Sequence, residues 1–158
     1  MERIDCILAN GTFKDCVKRN MESEKDRIFC RHDMSHMLDV CRVAWILNLE
    51  SGLLLPKEMV YAAGLLHDIG RWQEYLTGRD HSEAGAELAE EILGSCGFND
   101  EDIRAIVAAI LEHRERSENS KLGALISRAD KASRPCFDCP AIGRCKRFVD
   151  NHKPSLDY

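Results

Sequence analysis

The sequence predicts an all-α fold, and three observations carry that reading. Apolar residues recur at helical spacing along nearly the whole chain. No run alternates apolar and polar residues as a half-buried strand would. Capping residues and glycines fall where the helical stripes begin and end.

Taken in order, residues 1 to 30 show one stripe at Ile4, Ile7 and Leu8 and another at Phe13 and Val17, which predicts one or two helices packed over a core. Met34 to Leu49 carries Val40, Val43 and Leu47 on one face. His36 lies four residues before Val40 on that same face and therefore points inward. Pro56 can open the next helix, which runs through Val60, Ala63 and Gly64 to His67, with Gly70 as a C-terminal stop. Gly78 to Asp80 breaks the pattern. Asp80 can cap a new helix with Glu83 three residues on, so that His81 heads the stripe Ala84, Gly85, Leu88 and Ile92. Gly94 to Asn99 reads as a loop, and Asn99 or Asp100 can cap a helix burying Ile103, Ile106, Val107 and Ile110, with His113 continuing that face. A last core helix starts at Ser120 and buries Leu122, Leu125, Ile126 and Ala129, which places Asp130 at its buried edge.

A length of 158 residues suits one domain with a real core: about 30–135 for the core, a helical cap over 1–29 and a cysteine-containing tail over 136–158. The hydrophobic share of 44% and the charged share of 31% are those of a globular chain. A formal net charge of −5 implies no general affinity for nucleic acid or anionic membrane, so phosphate binding must come from local basic residues. The start Met1-Glu2-Arg3-Ile4-Asp5 lacks a secretory apolar core and no stretch is long enough to span a bilayer, which predicts a cytoplasmic protein. On that footing the eight cysteines are expected to stay reduced or to bind metal. Composition leaves the oligomeric state open.

The chemistry-bearing feature is the adjacent pair His67-Asp68 at the end of the apolar run Met59 to Leu66. Two strongly polar groups there must be solvated or hold a metal ion. A lone histidine on an apolar face is more often a hydrogen-bonded core or rim residue. Inward-facing polar groups on five predicted helices, each at the edge of an apolar stripe, are what a central metal site in a helical bundle requires.

His36, then His67-Asp68-Ile69-Gly70, then Asp130 resembles the ordered His, His-Asp, Asp pattern of the HD-domain metal-dependent phosphohydrolase superfamily. The lead-in Ala62-Ala63-Gly64-Leu65-Leu66 and the run Ala129-Asp130-Lys131 are similar too. The resemblance implies an HD-domain helical bundle with a divalent metal held by His36, His67, Asp68 and Asp130. His81 and His113 match the extra ligands of the branch with two metals, in which the aspartate of the His-Asp pair bridges the ions. The other reading of these two histidines is that they line the pocket and contact phosphate.

Two cations about 3.5 to 4 Å apart can bridge a hydroxide as nucleophile and clamp phosphoryl oxygens, so no side-chain nucleophile is needed. Imidazole and carboxylate ligands suit iron, manganese, zinc, cobalt or nickel. Asp68 and Arg71 are thus the catalytic candidates, and the expected partner is a small phosphorylated molecule such as a nucleotide or dinucleotide. Arg71 can hold a phosphate in two places, and Lys131, Arg134 and His32 are further substrate candidates. Lys131 points to solvent if Asp130 points inward. Two other functions fit the same residues: a diiron oxygenase of the HD-domain type, and a non-catalytic nucleotide or metal sensor.

In the tail, Cys136 and Cys139 followed by Cys145 have the spacing of a zinc or iron–sulfur site that lacks its fourth ligand. His152 is the nearest candidate in sequence; Cys6, Cys16, Cys30 or Cys96 can reach it only through the fold. The alternative is a set of ordinary reduced cysteines packing a small lobe.

Overall fold

The computed structural model describes residues 1–113, 120–148, 154, 156 and 158. Eight α-helices follow one another among them: α1 (Glu2–Ala9), α2 (Gly11–Ser23), α3 (Met34–Glu50), α4 (Lys57–Leu66), α5 (Arg71–Thr77), α6 (His81–Ser95), α7 (Asp100–Glu112) and α8 (Lys121–Ala132). Three single 3-10 turns, Cys136–Asp138, Ile142–Arg144 and Lys146–Phe148, follow. No strand occurs among the described residues, so the all-α prediction holds.

Helices α3, α4, α7 and α8 pack on one another, α6 lies against α7 and α5, and α1 and α2 cover α4, α5 and α6. Val40, Ala44, Val60, Leu65, Ile106 and Ile126 are completely buried between them. The helix starts follow the capping chemistry of the sequence. The side chains of Asp33, Asp80, Asn99 and Ser120 each accept a backbone N–H in the first turn of α3, α6, α7 and α8. Four of the elements that carry the candidate ligands are therefore pinned at defined residues.

Three details differ from the sequence reading. Helix α5 is an addition: it is seven residues long, its apolar stripe is only Trp72, Tyr75 and Leu76, and none of its residues is fully buried. Gly70 does not end α4 as a left-handed stop: its φ is −84°. Its lack of a side chain matters because a Cβ there would collide with the backbone of His81 and Gly85, so Gly70 sets how closely the turn after α4 approaches α6. Gly78, with φ 75°, is the left-handed residue that closes α5. The cysteines are not all reduced either. Cys6 and Cys96 form a disulfide across 90 residues, tying α1 to the end of α6, because helix packing brings their Cα atoms to 5.6 Å. The other six cysteines are free thiols. No described helix is long and apolar enough to cross a membrane.

Candidate metal centre

The five core elements deliver their polar residues to one point. His36 sits in the first turn of α3, its backbone N–H held by the Asp33 carboxylate at 3.0 Å. His67 and Asp68 follow the last residue of α4, one step beyond the predicted last turn. His81 opens α6, His113 follows α7, and Asp130 lies in the last turn of α8. Their ligand atoms form two groups, each gathered within 4.8 Å: His36, His67, Asp68 and Asp130 in one, Asp68, His81 and His113 in the other.

Asp68 belongs to both groups, through different oxygens. Its Oδ2 lies 3.0 Å from His67 Nε2 and 3.9 Å from His36 Nε2. Its Oδ1 lies 3.2 Å from His81 Nε2 and 3.7 Å from His113 Nε2. Asp130 Oδ1 completes the first group at 3.2 Å from His36 Nε2. A carboxylate that turns one oxygen to each cluster has the disposition of a bridging ligand.

The imidazoles are set to act as acceptors toward the centre. His67 Nδ1–H donates to the Gly64 carbonyl at 2.8 Å, His113 Nδ1–H to the Ile110 carbonyl, and His81 Nδ1–H to the Glu74 carboxylate. A carbonyl or carboxylate only accepts, so each Nδ1 carries a proton, which leaves Nε2, directed inward, as the nitrogen that can ligate a metal. His81 Nε2 and His113 Nε2 face each other at 3.4 Å. Two lone pairs at that distance repel unless a cation or a proton stands between them. His36 Nε2, His67 Nε2 and Asp68 Oδ1 are buried and have no hydrogen-bond partner among the described residues. Orphaned buried acceptors of this kind are costly, and divalent cations in the two groups would satisfy them, so the donor set fits metal.

The electrostatics keep the carboxylates charged. Burial opposes ionisation of Asp68, but the neighbouring His67, His113 and His81 outweigh it and hold this carboxyl well below the usual range. Burial likewise works against Asp130, and the adjacent His36 imidazole and Arg134 guanidinium bring it well below the ordinary value. For His67, burial disfavours the charged ring, yet Asp68 and Asp130 leave its affinity for a proton above normal.

Around this centre lies a layer of which the sequence pointed only to Arg71 and His32. Arg71 Nε is 3.2 Å from Asp68 Oδ1, and its Nη2 donates to His32 Nε2 at 3.2 Å. His32 Nδ1–H in turn donates to the buried Glu24 at 2.5 Å, and the Tyr75 hydroxyl donates to the same carboxylate at 2.7 Å. His32 thus sits beneath Arg71, with its Nε2 3.7 Å from Asp68 Oδ2. Burial lowers the proton affinity of His32, against Glu24 and Asp68. Asn20 clamps the turn after α4: its amide donates to the Asp68 carbonyl at 2.9 Å and its oxygen accepts from the Trp72 N–H at 2.8 Å. Glu24 and Asn20 come from the N-terminal segment and Glu74 from unpredicted α5. No spacing rule connects them to the ligands, so only the fold exposes their roles.

The remaining sequence candidates divide. Arg134 is at the site, its Nη2 donating to Asp130 Oδ1 at 2.6 Å. Lys131 is not: it is exposed and bonds Ser127 on its own helix, because Asp130 turns inward and its neighbour must turn out. Cys136, Cys139 and Cys145 lie apart from both ligand groups, half-buried and free. His152 lies outside the described residues.

The chain has recognisable relatives among known proteins. Residues 34–134 match the HD domain family. A protein of Clostridium beijerinckii described as uncharacterized is 42% identical over 146 residues, covering 92% of each chain. Ribonuclease Y of Mycoplasma mycoides is 32% identical over 105 residues, 65% of this chain, and the chain spans only 22% of that larger protein. Among solved structures, a predicted HD superfamily hydrolase from an uncultured Thermotogales bacterium superposes with a TM-score of 0.62 at 31% identity, over 83% of this chain and 72% of that one.

Proposed function

The chain belongs to the HD-domain superfamily, and from that premise we propose a metal-dependent phosphohydrolase that uses two ions and acts on a small phosphate ester such as a nucleotide or dinucleotide. The observation that carries this reading is Asp68, whose two oxygens face two separate ligand groups. His36, His67, Asp68 and Asp130 would hold one ion, and Asp68, His81 and His113 the other. A bound pair of divalent cations lowers the pKa of a shared water and neutralises charge on phosphoryl oxygens. Iron, manganese, cobalt, nickel and zinc all suit these donors.

The chain's own residues supply the rest. Arg71 reaches over Asp68 with a planar guanidinium suited to a phosphoryl group. Neutral His32, fixed from behind by Glu24, accepts from Arg71 and holds that guanidinium in place, so His32 is a positioning residue. A cleft of about 340 Å³ opens beside the centre at His36, with Arg31 and Arg134 in its walls. That volume is at the small end of ligand pockets and favours a compact ester. Relatives named Ribonuclease Y fit phosphate-ester chemistry, but this chain covers too little of them to carry over their substrate.

The test is chromatographic product analysis together with inorganic phosphate release on a panel of nucleotides and dinucleotides, because a dinucleotide is cleaved to nucleotides without free phosphate, using protein loaded anaerobically with manganese, iron, cobalt, nickel or zinc. Turnover that disappears in Asp68→Asn, and whose KM rises in Arg71→Ala, is expected. Iron-dependent oxygen uptake without cleavage of any phosphate ester would establish an oxygenase instead. Nucleotide binding without turnover under any metal would leave a sensor.

A further inference from the structure

The cysteine tail is ordered in a way that burial does not explain. Residues 136–148 form three successive 3-10 turns held by local bonds: Cys139 N–H to Cys136 O, Ile142 N–H to Cys139 O, Cys145 N–H to Ile142 O and Phe148 N–H to Cys145 O, at 3.0–3.3 Å. In that stretch Ala141 alone is fully buried, while Phe137 is 56% exposed. Ordering the backbone costs roughly 1–2 kcal/mol per residue, and short lobes without a core are commonly stapled by a metal or disulfides.

The tail lies against the irregular segment between α2 and α3, Pro140 and Ala141 sharing a cavity with Lys25 to Ile28 and Arg31. This segment carries Cys30. Cys30, Cys136 and Cys139 all line the 340 Å³ cleft beside His36. Cys145 and Cys30 are both near enough to act electrostatically on the Cys136 thiol, with Arg147 and Arg134 as its cationic neighbours. Arg134 lines the same cleft as Cys30.

We propose that Cys30, Cys136, Cys139 and Cys145 form a second metal site, a four-thiolate site for zinc or an iron–sulfur cluster. Cys30 is the fourth ligand that the tail lacks in sequence. Four thiolates make a closed tetrahedral set, the chemistry of a structural zinc or of a cluster, and each thiol yields its proton to solvent on ligation. The four sulfurs are not among the donor groups gathered within 4.8 Å, so ligation draws them together across the interface between the two segments. Arg134 and Arg147 offset the negative charge that results. Because Arg134 lines the cleft with Cys30, Cys136 and Cys139 and bonds Asp130, the site stiffens the cleft wall next to the central ligands.

The experiment is X-ray absorption with metal analysis on protein produced with zinc, and in parallel anaerobically with iron, using Asp68→Ala protein so that metal at the helical centre does not contribute. About one zinc per chain with four sulfur neighbours at about 2.3 Å is expected, or a visible cluster absorption in the iron preparation. Zinc supports a structural staple and iron a cluster. Cys30→Ser and Cys139→Ser should each remove the metal, whereas Cys16→Ser, which alters a thiol buried in α2, should retain it. Unmutated protein in the same spectrum keeps the test independent of how any variant folds, since added nitrogen and oxygen ligands do not create sulfur neighbours. Three or fewer sulfurs per ion in the Asp68→Ala protein, no sulfur-bound metal in either protein, or full metal retention in Cys30→Ser would overturn the assignment. Failure of phosphohydrolase activity would leave it untouched.

Discussion

Asp68 is the residue on which the centre turns, since it is shared between two sets of histidines and completely enclosed. The residues behind the ligands matter nearly as much. Glu74 accepts the Nδ1 proton of His81 and so aims the Nε2 lone pair at Asp68 Oδ1. Changing Glu74→Gln keeps the shape but weakens the acceptor and removes its charge. Affinity for the ion held by His81 and His113 should fall about 10- to 100-fold, while the ion at His36 binds as before. Competitive metal titration with a chromophoric chelator would show this as one weakened step out of two. Equal weakening of both steps, or of neither, would mean that Glu74 does not orient His81.

At the scale of elements, the centre depends on how closely the turn after α4 meets the start of α6. Gly70→Ala places a methyl against the backbone of His81 and Gly85, which has no rotamer to yield. The substitution should destabilise by roughly 1–3 kcal/mol and displace His81 from Asp68, costing the second ion as well. Asn99→Ala provides the contrast. It removes the cap of α7 at its far end from His113 and should cost about 1 kcal/mol in urea unfolding without changing metal stoichiometry. Both effects are read from one denaturation series with metal analysis.

This is also the scale at which the sequence was most and least legible. Long amphipathic helices with capping residues, such as α3, α6 and α8, announce their register, and register alone turns His36, His81 and Asp130 inward. Short α5 is seven residues long with none fully buried, too little apolar repeat for it or Glu74 to be found by periodicity. Gly70 was read as a helix stop because glycine signals several backbone needs, and sequence does not say which applies. The Cys6–Cys96 disulfide depends on packing between distant helices, and compartment arguments alone pointed the other way.

At the scale of the whole molecule, the N-terminal helices are tied to the centre by a buried charge. Burial raises the cost of ionising Glu24, but its bonds from His32 and Tyr75 prevail and bring its pKa down to about 2 from an ordinary 4.5. A carboxyl whose folded pKa is depressed contributes stability above its unfolded value and loses it as pH falls through the folded one. The contribution, on the order of 3 kcal/mol, should be present at pH 5 and disappear progressively toward pH 2. Urea midpoints for wild type should therefore fall more steeply over that window than those of Glu24→Gln. Parallel slopes would show that Glu24 is not the tie.

The most direct measurement of the central claim is metal stoichiometry in a Cys136, Cys139 and Cys145 to Ser background, for wild-type and variant centres prepared anaerobically. About two ions per chain are expected with the centre intact, about one in His81→Ala, and none in Asp68→Ala, because only Asp68 serves both groups. One ion per chain in both the intact and the His81→Ala proteins would contradict a binuclear centre bridged by Asp68.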